Sequence, residues 1–202
     1  VDQLEGIDFG QSPLSDHGLA LMLKEMQVRA LRLENTGITD SGVGAISLVE
    51  TLEVLHLAGT KVSDTGLAYL SGLEDLQRVS LARTRIGDRG IAHLTGLPEL
   101  RELDLAETSI SDRGVRQLAK LQTLQHLSLE GTRLSGEGLT TLARLQNLEA
   151  LHLGRCRIGD GGLAYLAELA SLRKLRLHGT RISGVGLGHI AKLTGLTQLD
   201  IS

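Results

Sequence analysis

The stretch that decides the fold is LEVLHLAGTKVSDTGLAYLSGL, residues 52–73, because its apolar pattern changes period partway through. At Leu55 and Leu57 apolar residues flank a polar one, and this alternation is typical of a short β-strand. Leu67 and Leu70 are three residues apart, which is typical of one face of a short helix. The stretch therefore predicts one strand followed by one helix.

The same pattern recurs every 24 residues, and position 1 of each unit is the residue equivalent to Leu52. Positions 1, 4, 6, 11, 16, 19 and 22 should be apolar, and of these 56 slots in eight units only Glu25 is not. Because one unit cannot bury its own apolar face, stacked units must share a core. We expect nine short parallel strands and eight helices of about two turns. Complete units begin at residues 4, 28, 52, 76, 100, 124, 148 and 172, and a truncated ninth begins at residue 196.

Three polar or glycine columns explain the local structure of the unit. Position 12 is Ser, Thr or Gly, and position 13 is Asp in six of eight units; both types favour a helix start. Position 15 is Gly in all eight units, so we expect no room for a Cβ beside the neighbouring unit or the sheet. Position 9 is small and polar, and its side chain should bond the backbone at the bend after the strand. Cys156 occupies this position, so we interpret it as a structural residue.

These residues resemble the leucine-rich repeat family, since residues 52–73 carry the L-x-x-L-x-L signature with Thr60 where many members have Asn or Cys. The resemblance covers residues 4–202. The helical second half of each unit is similar to the ribonuclease-inhibitor-like, cysteine-containing and 24-residue bacterial subclasses. It implies an α/β fold in one domain over residues 1–202: a right-handed leucine-rich-repeat solenoid (horseshoe) with a parallel β-sheet on the concave face and short helices on the convex face. It implies no activity, because members bind many unrelated partners through variable surface positions.

The composition excludes several classes of function. A net charge of −3 excludes a globally basic nucleic-acid binder, and no apolar run is long enough to span a membrane. One cysteine excludes a disulfide framework and multi-thiolate zinc sites, and it favours a reducing compartment such as the cytoplasm. We expect no cofactor and no metal. Residues 101–202 carry 13 basic and 10 acidic side chains against 8 and 14 before them, so the second half is the expected place for an acidic partner.

Catalysis is the last of the alternatives. Side chains at positions 3, 5 and 7 should share the concave face because strand neighbours alternate. Position 5 places Ser80 between His56 and Asp104, whereas a hydrolytic triad needs the histidine in the middle. The sequence therefore predicts that the chain is not an enzyme.

Three histidines form a diagonal across the concave face, His126, His152 and His178 at positions 3, 5 and 7 of successive units. Neighbouring Cα atoms should be about 8 Å apart, so three in a line cannot share one tetrahedral ion. We interpret them as solvated surface histidines that make binding sensitive to pH near 6.5.

Position 10 is basic in five of the last six complete units, which predicts a row of cations on the loops leaving the strands. We call Lys61, Arg85, Arg133, Arg157 and Arg181 the basic rim. In three of these units an Asp three residues later should compensate the charge, but the units of Arg133 and Arg181 lack it. Nucleic acid is disfavoured because stacking aromatics are absent.

The sequence thus predicts a non-catalytic scaffold that binds a protein partner, with an acidic segment, through the concave sheet and the basic rim. The alternatives are polyanion or nucleic-acid binding through the rim, and a designed or consensus-derived scaffold without a natural ligand. An apolar last strand at Leu199 and Ile201 also predicts end-to-end self-association through the C-terminal edge, or a longer array. The expected partner contacts are Arg32, His56, Arg78, Asp104, His126, Arg133, His152, Arg155, Lys174, Arg176, His178 and Arg181.

Overall fold

The computed structural model describes residues 4–202, so the predicted start of the domain at residue 1 lies outside the described part. Nine parallel strands form one open sheet in chain order, and each residue pairs with one 24 positions later, as Leu55 does with Val79. The nine strands, the parallel sheet and the α/β solenoid are confirmed. The strands are Leu4–Asp8 (β1), Val28–Arg32 (β2), Val54–His56 (β3), Arg78–Ser80 (β4), Glu102–Asp104 (β5), His126–Ser128 (β6), Ala150–His152 (β7), Lys174–Arg176 (β8) and Gln198–Asp200 (β9).

Each strand is followed by a helix, except β9. The helices are Asp16–Leu23 (α1), Asp40–Ile46 (α2), Asp64–Leu67 (α3), Ile91–Leu94 (α4), Asp112–Leu118 (α5), Gly136–Leu142 (α6), Asp160–Leu166 (α7) and Gly184–Ile190 (α8). Six have the predicted two turns, but the prediction is wrong for α3 and α4, which have one. The third unit continues as a 3-10 helix over Ala68–Gly72, and no side chain caps the start of α4.

The core lies between the sheet and the helices. Leu55 and Leu57 from the strand side, and Leu67 and Leu70 from the helix side, are fully buried. The position-9 hydroxyls bond the backbone as predicted: Thr60 Oγ1 donates to the Leu57 carbonyl at 2.7 Å, and five other units repeat the bond. These bonds leave the bend after the strand without an orphan hydroxyl in those six units.

Position 8 has a left-handed backbone in all eight units, with φ between 55° and 69°. Its amide donates to the position-7 carbonyl of the next unit, as Arg83 N does to the Ala106 carbonyl at 2.8 Å. The chain must turn at this position while its amide keeps the hydrogen bond to the next unit. Only three of the eight residues are glycine, so the sequence carried little signal of the conformation.

The position-13 aspartates bond the following unit, which the sequence analysis missed. Asp88 accepts from the Ser111 amide at 2.8 Å, the Ser111 hydroxyl at 2.6 Å and the Gly114 amide at 3.0 Å. A Cβ on Gly114 would lie 2.6 Å from Asp88 Oδ1, so the predicted steric reason for the glycine column is confirmed. We call the equivalent residues Asp16, Asp40, Asp64, Asp88, Asp112 and Asp160 the aspartate ladder.

The ladder is interrupted at the sixth unit, where Gly136 stands at position 13. The backbones of α6 and α7 approach closely there: a Cβ on Gly162 would lie 2.9 Å from the Cα of Gly136. Close backbone packing thus takes the place of the carboxylate bonds at this junction.

Candidate functional site

The concave face of β3 to β9 forms a groove of about 950 Å³, here called the concave groove, lined by side chains at positions 3 and 5. Seven predicted contact residues line it: His56, Arg78, Asp104, His126, His152, Lys174 and Arg176. The other five lie outside its lining, on β2, on the loops after β7 and β8, and on the rim: Arg32, Arg133, Arg155, His178 and Arg181. The residues that the prediction missed include Ser80, Glu102, Ser128, Gln198 and Asp200. They share columns with predicted residues, so the strand alternation could have found them.

β8 contributes two neighbouring cations to the groove. Lys174 and Arg176 are both exposed, with the buried Leu175 between them. Within residues 4–202 no carboxylate lies within 4 Å of either cation. Their charges can therefore pair with a partner without breaking an ion pair.

His178 is not a solvated surface histidine, so that interpretation is wrong for this residue. Its Nε2 lies 3.3 Å from Glu130 Oε1, and its Nδ1 lies 3.5 Å from Asp200 Oδ2. The imidazole crosses the seventh unit over Gly154, where a Cβ would lie 2.6 Å from Nε2. Arg155 reaches the same carboxylate, with 2.8 Å between its guanidinium and Glu130 Oε1.

His152 lies on β7, between β6 and β8, and its pKa differs from that of an exposed histidine. Burial is the main cause that lowers its pKa, and the neighbouring Arg176 lowers the pKa further, against the opposing charges of Glu130 and Asp104. The expected titration near 6.5 is therefore wrong for His152, which stays neutral to lower pH.

The basic rim is not compensated in the way the sequence indicated. Asp64, Asp88 and Asp160 bond the next unit as part of the aspartate ladder, and in the region from residue 4 onward no ion pair within 4 Å involves a rim cation. The expected difference between Arg133 or Arg181 and the other rim residues is thus wrong. All five rim residues are exposed.

The hydrogen bonds of the candidate catalytic groups do not form a triad. Ser80 Oγ donates to Asp104 Oδ2 at 3.3 Å, while His56 Nδ1 lies 2.8 Å from Glu34 Oε1. Cys156 is buried, its Sγ donates to the Leu129 carbonyl at 3.1 Å, and burial raises the pKa of its thiol. A reactive thiol needs the opposite environment.

Residues 4–202 contain neither a metal-binding cluster nor a membrane-spanning helix. Among residues 4–202 no group of three or more His, Cys, Asp or Glu side chains is placed to hold a metal ion. Likewise, no helix in this range is both long enough and apolar enough to cross a bilayer.

A parallel sheet with a buried aliphatic column behind it and a polar concave face in front defines a repeat solenoid, and the chain has the fold of the leucine-rich repeat family. The sequence profile of that family, described as Leucine Rich repeat, matches residues 50–71, 97–119, 120–143 and 144–167. No curated protein matches the chain.

Solved structures support the same fold. Internalin C2 from Listeria monocytogenes is 25% identical with a TM-score of 0.79, over 98% of this chain and 80% of that chain. A second internalin from this bacterium, inlF, is 21% identical with a TM-score of 0.55, over 96% of this chain and 66% of that chain, and shows the fold alone. In all, 397 solved chains match, so the fold supports a protein-interaction scaffold without selecting one partner.

Proposed function

We propose that the chain is a non-catalytic scaffold that binds an acidic segment of a protein partner through the concave groove and the basic rim. The observation that carries the proposal is the pair Lys174 and Arg176, exposed side by side on β8 without a carboxylate within 4 Å in the described chain. Facing charges of this kind raise the association rate and the selectivity for an acidic partner.

The eighth unit carries cations both in the groove and on the rim. In the eighth unit Arg176 lies at position 5 and Arg181 at position 10. A parallel β-bridge joins Arg181 to Gly159 of the seventh unit, two residues after Arg157. Adjacent strands are about 4.8 Å apart, so an acidic segment crossing the seventh and eighth units meets several cations over a short distance.

Affinity capture from the cells that make the protein tests this proposal. The bait variant Lys174→Glu with Arg176→Glu should lose the partner that the unchanged chain captures. The matched control is Lys120→Glu with Arg144→Glu, two exposed cations after α5 and α6 that undergo the same charge change. If the β8 variant captures the same protein in the same amount, the assignment to the concave groove is wrong.

A second candidate is a polyanion bound along the rim, and the absence of ion pairs at its five cations in residues 4–202 favours it. Inorganic polyphosphate is a suitable probe. Its affinity should fall steeply with salt and with Arg133→Glu plus Arg181→Glu, and it should be unaffected by the β8 variant. Loss with the β8 variant instead would favour the groove and the acidic protein.

We also infer a reducing compartment, because the one cysteine of the sequence is buried and serves the backbone. Cell fractionation tests whether the protein lies in the cytoplasm. Recovery of the protein outside the cytoplasm would contradict this part of the proposal.

A further inference from the structure

The charges of the concave groove are sorted by strand. β5 presents two carboxylates, Glu102 and Asp104, at positions 3 and 5. β8 presents two cations, Lys174 and Arg176, at the same positions. The groove is therefore not uniformly basic: β5 is an acidic strand and β8 is a basic strand. One opposite charge flanks each of them, Arg78 of β4 beside Glu102 and Asp200 of β9 beside Arg176.

The two strands between them carry little charge. β6 contributes His126 and Ser128, and β7 contributes Ala150 and His152. Ala150 is buried, and the lowered pKa of His152 keeps that ring neutral near neutral pH. β6 and β7 thus form a floor without Lys, Arg, Asp or Glu side chains between the charged strands, here called the neutral floor.

The charges on both strands are largely free for a partner. Asp104 accepts only from the Ser80 hydroxyl at 3.3 Å and the Ala106 amide at 3.0 Å, with no cation within 4 Å in the described range. Glu102 has one ion-pair partner, His126, at 3.5 Å. A uniformly acidic segment lying across the groove would bring its carboxylates over these two acids and be repelled.

We propose that the concave groove selects an extended segment with a cationic side chain and a carboxylate four residues apart, the cation over β5 and the carboxylate over β8. Three strand spacings separate β5 from β8, about 14 Å. In an extended chain, residues i and i+4 point to the same side and are also about 14 Å apart. Residue i+2 then faces the neutral floor at Ala150. This inference rests on the proposed function and narrows the class of partner. The partner's carboxylate binds β8 only in a segment that also places a cationic side chain over β5.

Three heptapeptide probes test the charge pattern by NMR titration of the chain. TKTSTET has Lys and Glu four residues apart, TKTETST has the same charges two residues apart, and TETSTET has two Glu. TKTSTET should bind at least about fivefold more tightly than the other two, a preference that corresponds to one added exposed ion pair. It should shift the resonances of β5 and β8 together.

Variants of the chain test the two strands separately. Lys174→Glu with Arg176→Glu should abolish the preference for TKTSTET, and so should Glu102→Lys with Asp104→Lys. Combining all four changes should restore it, because the peptide then binds in the opposite direction. The control is Lys120→Glu with Arg144→Glu, which should leave the preference unchanged.

Two outcomes would overturn the inference. Tighter binding of TETSTET in the groove would leave the acidic-partner proposal standing and refute the bipolar pattern. Equal binding of TKTSTET and TKTETST would refute the spacing. Failure of the proposed function is seen separately, as capture that survives the β8 variant.

Discussion

Gly154 allows the imidazole of His178 to lie across the seventh unit and reach Glu130 of the sixth. Position 7 is Ala in three other units, so the backbone at this position accepts a methyl group. At Gly154 the three atoms nearest to an added Cβ all belong to the imidazole of His178, with Nδ1 at 2.7 Å. The contact between His178 and Glu130 therefore depends on the missing side chain at residue 154.

Gly154→Ala should displace His178 and destabilise the chain by about 1–3 kcal/mol, the usual cost of overpacking a close contact. Urea unfolding of the variant measures the loss. In a His178→Ala background the same substitution should cost little, because the ring is gone. An equal cost in both backgrounds would show that the imidazole is not the obstacle.

Position 8 stores backbone strain wherever it is not glycine. Arg83 has φ 55° and makes no ion pair within 4 Å in the described residues. A left-handed backbone costs an L-residue roughly 1–2 kcal/mol. Glycine escapes this cost because it has no Cβ.

Arg83→Gly should be more stable than Arg83→Ala by about 1 kcal/mol, since both lose the side chain but only glycine relieves the strain. Thermal and urea unfolding of the two variants give the difference. A more stable alanine variant would contradict the left-handed assignment at this position.

At the scale of the elements, the aspartate ladder fixes each helix start to the next unit. Asp88 serves three donors from the following unit, so its loss leaves two buried or partly buried amides without an acceptor. Helix starts with unpaired amides are costly because water does not fully replace the carboxylate.

Asp88→Ala should lower the free energy of unfolding by about 1–3 kcal/mol. The control is Asp75→Ala, an exposed aspartate in the preceding loop. Equal losses in the two variants would mean that the ladder adds no stability beyond that of an ordinary surface carboxylate.

The ladder also predicts a dependence on pH. Bonds from the Ser183 hydroxyl and amide lower the pKa of Asp160. Because the folded pKa is lowered, this contribution to stability is complete above the ordinary pKa of aspartate and is lost as the pH falls through the lowered value. Ser183→Ala should raise the pKa of Asp160 toward its ordinary value in an NMR titration. An unchanged titration would show that the hydroxyl bond is absent in solution.

At the scale of the whole molecule, stacking leaves the outer edge of β9 without a neighbouring strand in the described chain. Leu199 and Ile201 at this edge are 44% and 46% exposed. A polypeptide of residues 1–202 thus presents apolar side chains beside unpaired strand amides, an arrangement that favours pairing with another chain.

We predict that this polypeptide self-associates through β9 as its concentration rises, which light scattering detects. Leu199→Lys with Ile201→Lys should suppress the association. Leu21→Lys with Leu48→Lys, which replaces two exposed leucines near the other end, should not. A monomer at all concentrations would refute the prediction.

The sequence by itself determined the architecture of this protein. A 24-residue period places Leu55 on the core side of the strand, Leu67 on the helix and Thr60 at the bend, and each of these roles depends on local backbone geometry. Residues on the concave columns could be predicted for the same reason, because alternation along a strand is local.

The tertiary structure alone decided which groups meet across units. His178 reaches Glu130, 48 residues earlier, and Asp64 bonds the amide of Gly87 in preference to a rim cation of its own unit. Several carboxylates are within reach in sequence, and the choice among them depends on the offset between stacked units. The distance between the acids of β5 and the bases of β8 also depends on the tertiary structure, because the sheet places β5, β6, β7 and β8 side by side.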